Sequence, residues 1–205
     1  MHTFKEITNI LEEIYKLNEI NDIIYINGGI VPYLINNKAA TRNHSDIDIL
    51  VNLKDMDTIR NVLKKYNLYS ENKDSLKLAN QDFGIHTNIR CIDIGFYPFV
   101  IEDNGIKINT FSIDDKTIFK SRFIAGLTFN DFYEIISFKN YKIKIIKREL
   151  LYILKENLTR NKDKLDYVVL KKLNMNKECI TRLRKLNISK YTNIDDFITE
   201  KESKN

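Results

Sequence analysis

Apolar residues recur along this chain with two periods, and the places where the period changes mark out its elements. In 4–20, Phe4, Ile7, Ile10, Leu11, Ile14 and Leu17 return every three or four residues, as on a helix with one apolar face. Thr3 precedes this run and Glu6 stands three residues later, a capping box that fixes the helix start. Asn21-Asp22 breaks the pattern, and the apolar run 23–27 reads as a strand delivering the chain to Gly28-Gly29. Residues 29–36 read as a short helix with Pro32 in its first turn, where a missing N–H costs little, ended by Asn36-Asn37-Lys38. From 46 to 52 the period becomes two. Ile47 and Ile49 then point into a core, while Asp46 and Asp48 project together from the opposite face.

Further along, 55–66 is helical by spacing and 68–80 holds at most a short strand. Residues 82–101 read as a hairpin turning near Asn88, 105–111 as another strand followed by a mixed region with Gly126, and 138–147 as a strand or one hairpin arm. Helices are expected at 149–158, 164–173 and 176–187, before a polar, acidic end. The pattern predicts an α/β fold: a mixed, twisted sheet flanked by helices, with a small C-terminal helical region. The expected division is a catalytic domain over 1–147 and a helical region over 148–205.

At 205 residues the chain suits one full domain with an appendage. A hydrophobic content of 43% with 30% charged residues is that of a soluble globular protein. Cys91 and Cys179 supply neither a disulfide framework nor a CxxC pair, which favours a reducing compartment. The N-terminal residues carry acids through their apolar pattern, unlike a signal peptide, and nowhere do eighteen apolar residues follow one another. A cytoplasmic protein with no membrane span is expected. The net charge of +5 is uneven: 1–100 holds 11 Lys/Arg against 13 Asp/Glu, whereas 141–190 holds 15 against 5. That segment reads either as a surface for a polyanion, a triphosphate or RNA, or as compositional bias in a chain rich in Lys, Asn and Ile.

The chemistry concentrates between Gly28 and Val51. Glycine lets backbone N–H groups approach a ligand closely, and a strand, a glycine pair and a helix in succession present those groups to phosphate oxygens. Asp46 and Asp48 lie roughly 7 Å apart along a strand and can lean onto one or two divalent cations. Mg²⁺ suits them, since it takes one or two carboxylates together with substrate phosphates. Asp93, between Ile92 and Ile94, repeats the environment of Asp48; alone it would read as a solvent-facing strand residue. His2, His44 and His86 show no metal-ligand spacing, and neither a Gly-x-Ser-x-Gly nor a P-loop lysine pattern is present.

Gly28-Gly29, Thr41-Arg42 and Ser45-Asp46-Ile47-Asp48 together resemble the signature of the polymerase-β-like nucleotidyltransferase superfamily. The likeness is to its minimal members, the aminoglycoside and lincosamide nucleotidyltransferases and the abortive-infection toxins, and it spans about 23–173. Lys155, Arg160, Lys162, Asp163 and Asp166 match the order in which those families carry a helix lysine and an Arg-x-Lys-Asp step. The 160–163 stretch also reads as an ordinary inter-helix turn with Asp163 as N-cap. The resemblance implies a Mg-dependent enzyme that moves a nucleoside monophosphate from an NTP to an acceptor hydroxyl and releases pyrophosphate. It implies that Asp46, Asp48 and Asp93 hold two Mg²⁺ ions, with Asp93 also activating the acceptor. It implies a triphosphate bound by Gly28, Gly29, Arg42, Ser45 and Lys155. The acceptor stays open between a small molecule and, as in the toxins, tRNA or protein. A non-catalytic nucleotide-binding module is the remaining alternative.

Overall fold

The computed structural model describes residues 1–36, 42–79, 81–113, 117–189 and 192–193. Helix α1 (Phe4–Tyr15) starts on the expected capping box, with Thr3 Oγ1 accepting from the Glu6 amide and Glu6 accepting from the Thr3 amide. It ends earlier than the apolar spacing suggests, and 16–23 is a series of turns. Strand β1 (Ile24–Asn27) runs into a tight turn at Gly28–Ile30 and helix α2 (Val31–Ile35), with Pro32 in its first turn. Strand β2 (Asp46–Asn52) follows, then α3 (Met56–Lys65) and α4 (Ser75–Ala79). The short strand allowed within 68–80 is a helix instead. Asp74 lies fully buried beside Arg60, and its carboxylate accepts from the Leu76 amide, which sets the turn that opens α4.

The predicted hairpin is β3 (Ile85–Ile89) and β4 (Ile92–Glu102), turning at Arg90-Cys91 rather than at Asn88. Both turn residues have positive φ, the backbone of a two-residue hairpin loop. Strands β5 (Gly105–Ile113) and β6 (Thr117–Ala125) follow. After the short helix α5 (Phe129–Phe132), the segment read as a strand or one hairpin arm is the second arm of a hairpin, β7 (Tyr133–Phe138) with β8 (Tyr141–Ile146), turning through Lys139. Helices α6 (Arg148–Lys155), α7 (Asn161–Leu170) and α8 (Lys177–Leu183) complete the helical part. Two short strands, β9 (Asn187–Ile188) and β10 (Thr192–Asn193), return to pair with β6.

Among the described residues one mixed sheet runs β10-β6-β5-β4-β2-β1-β8-β7, with β3 on the other side of β4's N-terminal half. β2 is parallel to β4 and β1 parallel to β8; the remaining pairs are antiparallel. Ile47, Ile49, Val51, Ile94 and Phe96 are buried on one face, beneath α1 and α3. Removing that apolar area from water at about 25 cal/mol per Å² drives the sheet onto its helices. On the other face Asp46, Asp48 and Asp93 stand beside buried Leu50, Tyr97 and Phe99. No helix of the described residues is long and apolar enough to cross a membrane.

Candidate active site

Register assembles the three carboxylates. In the parallel pair β2–β4, Asp46 stands opposite Asp93 and Asp48 opposite Gly95; in the antiparallel pair β1–β2, Asn27 stands opposite Asp48. Because side chains alternate, Asp46, Asp48 and Asp93 leave the same face of two neighbouring strands. Among the described residues neither Asp46 nor Asp48 has a hydrogen-bond or salt-bridge partner, so two carboxylates sit side by side with no cation in contact. Burial first, and the charge of Asp46 second, push the Asp48 carboxyl up to about 6, while Lys162, His86 and Lys155 pull it back. A half-buried carboxylate so disfavoured by its surroundings is a site short of positive charge.

Gly28 completes this corner. It has φ of +75°, in the left-handed region, and a Cβ placed on it would run into the Asp48 carboxylate. A Cβ on Gly29 would meet the Arg42 guanidinium and the Asp166 carboxylate. Glycine is required by the backbone at 28, whereas at 29 a side chain would have to displace the Arg42 and Asp166 side-chain ends.

That cluster comes from α6 and α7. Asp166, with no exposed side-chain surface, receives Arg42 through both Nε (2.7 Å) and Nη2 (3.0 Å) and Lys155 Nζ at 2.9 Å. Lys155 Nζ also reaches Asp163 at 2.8 Å, and Arg160 Nε reaches Asp163 at 2.5 Å. Asp163 lies inside the first turn of α7, whereas Arg160 occupies its N-cap position, so the N-cap reading of Asp163 does not hold. Three cations and two buried carboxylates leave a surplus of one positive charge, with Lys162 beside it. Arg42 and Lys155, expected as phosphate ligands, are therefore held by carboxylates and present fixed, already-partnered N–H groups to the cavity.

A cavity of about 450 Å³ lies between these groups. Gly28, Gly29, Asp46 and Asp48 form part of its floor, and Lys155 and Lys162 part of its wall. Leucines of α6 and Phe132 supply its apolar side, while charged and polar side chains make up about half of its lining. A second cavity of about 350 Å³ adjoins it, sharing Asp46 and Tyr97 and adding Asp93, His86, Asn88 and Lys73. Asp46 thus stands on the divide between the two.

One expected contributor, Ser45, falls outside this arrangement. Ser45 is exposed and lines neither cavity, and Thr41 lies outside the described residues. His44 is buried against Tyr33, and its backbone pairs with that of His2; burial and the charge of Arg42 hold its imidazole down to about 4. It is a neutral core residue. Sequence reading also missed five participants. His86 bonds to Asp93, Tyr97 lies over Gly95 and reaches His86, and Thr110, Lys120 and Arg122 extend the face across β5 and β6. Period-two alternation through 85–89 and 105–125 carried that signal, but no motif marked it.

Among the described residues no three His, Cys, Asp or Glu side chains form a ready-made metal cage. The donor set nevertheless suits Mg²⁺: hard carboxylate oxygens, adjacent and without internal partners, beside a pocket able to receive a ligand's phosphates. No family model and no curated protein matches the sequence. Solved structures do match. The solution structure of the antibiotic-resistance factor ANT(2'')-Ia aligns with a TM-score of 0.54 at 13% identity, over 88% of this chain and 90% of that one. The lincosamide antibiotic adenylyltransferase LnuA, lincomycin-bound, aligns at 0.50 and 19% identity, over 80% and 96%. ANT(2'')-Ia in complex with adenylyl-2''-tobramycin gives 0.53 at 12% identity, over 86% and 94%. The α/β fold of this chain is the fold of these nucleotidyltransferases.

Proposed function

We propose that this chain is a nucleotidyltransferase that moves a nucleoside monophosphate from an NTP to an acceptor hydroxyl and releases pyrophosphate. The observation that carries the reading is the register that brings Asp46, Asp48 and Asp93 onto one face at the junction of two cavities. In this reading the triphosphate lies in the larger cavity, along the turn at Gly28-Gly29 and under Lys155 and Lys162. Arg42, fixed by Asp166, closes the glycine turn from behind. Asp46 and Asp48, with Asp93 sharing the ion nearer the acceptor, would hold Mg²⁺, which when bound offsets charge on the phosphates and lowers the pKa of the acceptor hydroxyl. Asp93, in the smaller cavity, accepts that hydroxyl's proton as its oxygen attacks the α-phosphorus and the bond to the pyrophosphate oxygen breaks.

The acceptor is expected on the β4–β5–β6 side, next to Asp93. Thr110 there stands opposite Lys120 and Ile108 opposite Arg122, and Lys73 enters from the smaller cavity. Among the described residues the carboxylates facing that side are Asp46 and Asp93 alone. Such a surface favours a neutral or anionic hydroxyl acceptor, an RNA end included, over a polyamine sugar, which needs several carboxylates. The basic 141–190 segment adds less than its composition suggests, because Arg148, Lys155, Arg160, Arg182 and Arg184 are all in ion pairs. Retention of all three carboxylates weighs against a non-catalytic module.

The test is pyrophosphate release from each of the four NTPs with Mg²⁺, offering aminoglycosides, lincosamides and bulk tRNA as acceptors. Acceptor-dependent release that vanishes in Asp48→Asn is the expected result. Release undiminished in Asp48→Asn would refute the reading. A response to tRNA should weaken steeply between about 50 and 200 mM salt, as phosphate contacts do.

A further inference from the structure

Among the described residues His86 is the one titratable side chain that touches a proposed reacting carboxylate, and the mechanism above does not use it. It lies on β3 opposite Gly95 and is 8% exposed. Its Nδ1 is 3.0 Å from Asp93 Oδ2. Its Nε2 is 3.2 Å from the Phe111 carbonyl oxygen and 3.1 Å from the Tyr97 hydroxyl. The ring packs edge-on against Phe111 and Tyr97, with centroids 4.7 and 5.5 Å away. The imidazole therefore has a partner at each nitrogen and two aromatic neighbours.

An ionised carboxylate can only accept, so the contact to Asp93 requires a proton on Nδ1. With Oδ2 engaged, Oδ1 is the oxygen with the freer lone pairs; its neighbour is Asn88 Nδ2, at a marginal 3.5 Å. A strand carboxylate otherwise swings freely about χ1 and χ2, and Asp93 is about two-fifths exposed. Glycine opposite His86 is what leaves space for the Tyr97 ring to fold back and hold the imidazole from behind.

We propose that His86 is a positioning residue: its Nδ1–H fixes the Asp93 carboxylate so that one oxygen is presented toward Asp46 and the shared cavity. This rests on the reading that Asp93 serves metal and acceptor. The bland alternative is a core histidine that merely satisfies the Phe111 carbonyl. The two roles use different ring nitrogens, and two amide side chains separate them. Asparagine at this position places Nδ2 near the site of Nδ1 and keeps the bond to Asp93. Glutamine places Nε2 near the site of the ring Nε2 and keeps only the bond to Phe111.

The experiment titrates Mn²⁺, as the probe metal, into the full chain with NTP present, comparing wild type, His86→Asn, His86→Gln and Asp93→Asn, with melting temperature followed in parallel. The expected result is that Asp93→Asn and His86→Gln both weaken Mn²⁺ binding by about 10-fold or more, the usual effect of losing a carboxylate's supporting contact, while His86→Asn stays within about threefold of wild type. Weakening in Asp93→Asn with wild-type affinity in His86→Gln would overturn the positioning role and leave the reading of Asp93 standing. Unchanged affinity in Asp93→Asn would overturn both. A melting temperature lowered most in His86→Asn, with metal affinity tracking it, would assign His86 to the Phe111 carbonyl instead.

Discussion

Asp46 and Asp93 stand directly opposite each other on parallel strands β2 and β4, although 46 residues of sequence separate them. A parallel pair needs a crossover, and α3 and α4 supply it; without that crossover the acceptor-side carboxylate would not reach the Asp46-x-Asp48 strand. Asp93→Asn is expected to cut turnover by about 10²–10⁴, the usual worth of a general base, with NTP affinity nearly unchanged. Steady-state kinetics together with NTP titration would check both halves.

Asp166 gathers Arg42 and Lys155 at a point with no solvent. Asp166→Ala leaves two cations in a site built for an anion, and breaking a buried pair in this way costs about 3–5 kcal/mol. The melting temperature should fall markedly, and the turn at Gly29 should loosen with it. Arg42→Lys should not restore the bidentate contact, since a single ammonium cannot replace two parallel N–H groups.

Arg60 is the equivalent centre on the far face, where it binds Asp74 through Nε at 2.9 Å and Nη2 at 3.0 Å and Asp82 through Nη1 at 2.8 Å. Arg60→Ala strands two carboxylates, one of them fully buried, and is expected to destabilise by about 3–5 kcal/mol. It touches neither cavity. Chemical denaturation should therefore show the loss, while NTP binding below the transition should match wild type.

Gly28→Ala attacks the site through the backbone. Left-handed φ costs an L-residue about 1–2 kcal/mol, and the added methyl meets the Asp48 carboxylate. Expected is a modest fall in melting temperature and a much larger loss of metal and NTP binding. Equal losses in both would argue against contact between this turn and the ligand.

The Asp131 carboxylate receives the Arg182 guanidinium, which ties α8 to α5, and this contact holds its pKa down to about 2 from 3.8. A carboxylate depressed in the folded state stabilises the protein fully above its unfolded pKa and loses that contribution as pH falls through the folded one. Stability should therefore decline between about pH 4 and pH 2. Acid titration of Asp131→Asn, followed by circular dichroism, should show a shallower decline over that window.

Elements whose apolar period was unbroken could be read from sequence: α1 with its Thr3–Glu6 box, β2, and the turn at Gly28. What misled was local. Asn88 has the composition of a turn, yet Arg90 and Cys91 make it by adopting positive φ, which neither residue type signals. The run 138–147 alternates through a turn at Lys139, so periodicity alone cannot show that the chain reverses there. Asp46, Asp48 and Asp93 were singled out from the resemblance to a known signature together with the period-two pattern; alone, Asp93 reads as a solvent-facing strand residue. The role of His86 and the pairing of Arg42 and Lys155 with Asp166 were not visible. Contacts between residues 124 positions apart, such as Arg42 and Asp166, depend on a fold that no local pattern encodes.

The most direct test of the account is transfer of label from an α-³²P NTP onto an acceptor, with wild type and Asp93→Asn compared under saturating nucleotide and Mg²⁺. The account predicts that labelled acceptor and free pyrophosphate form in equal amounts with wild type, and that both fall together in the mutant while nucleotide stays bound. Transfer by Asp93→Asn at the wild-type rate would contradict it.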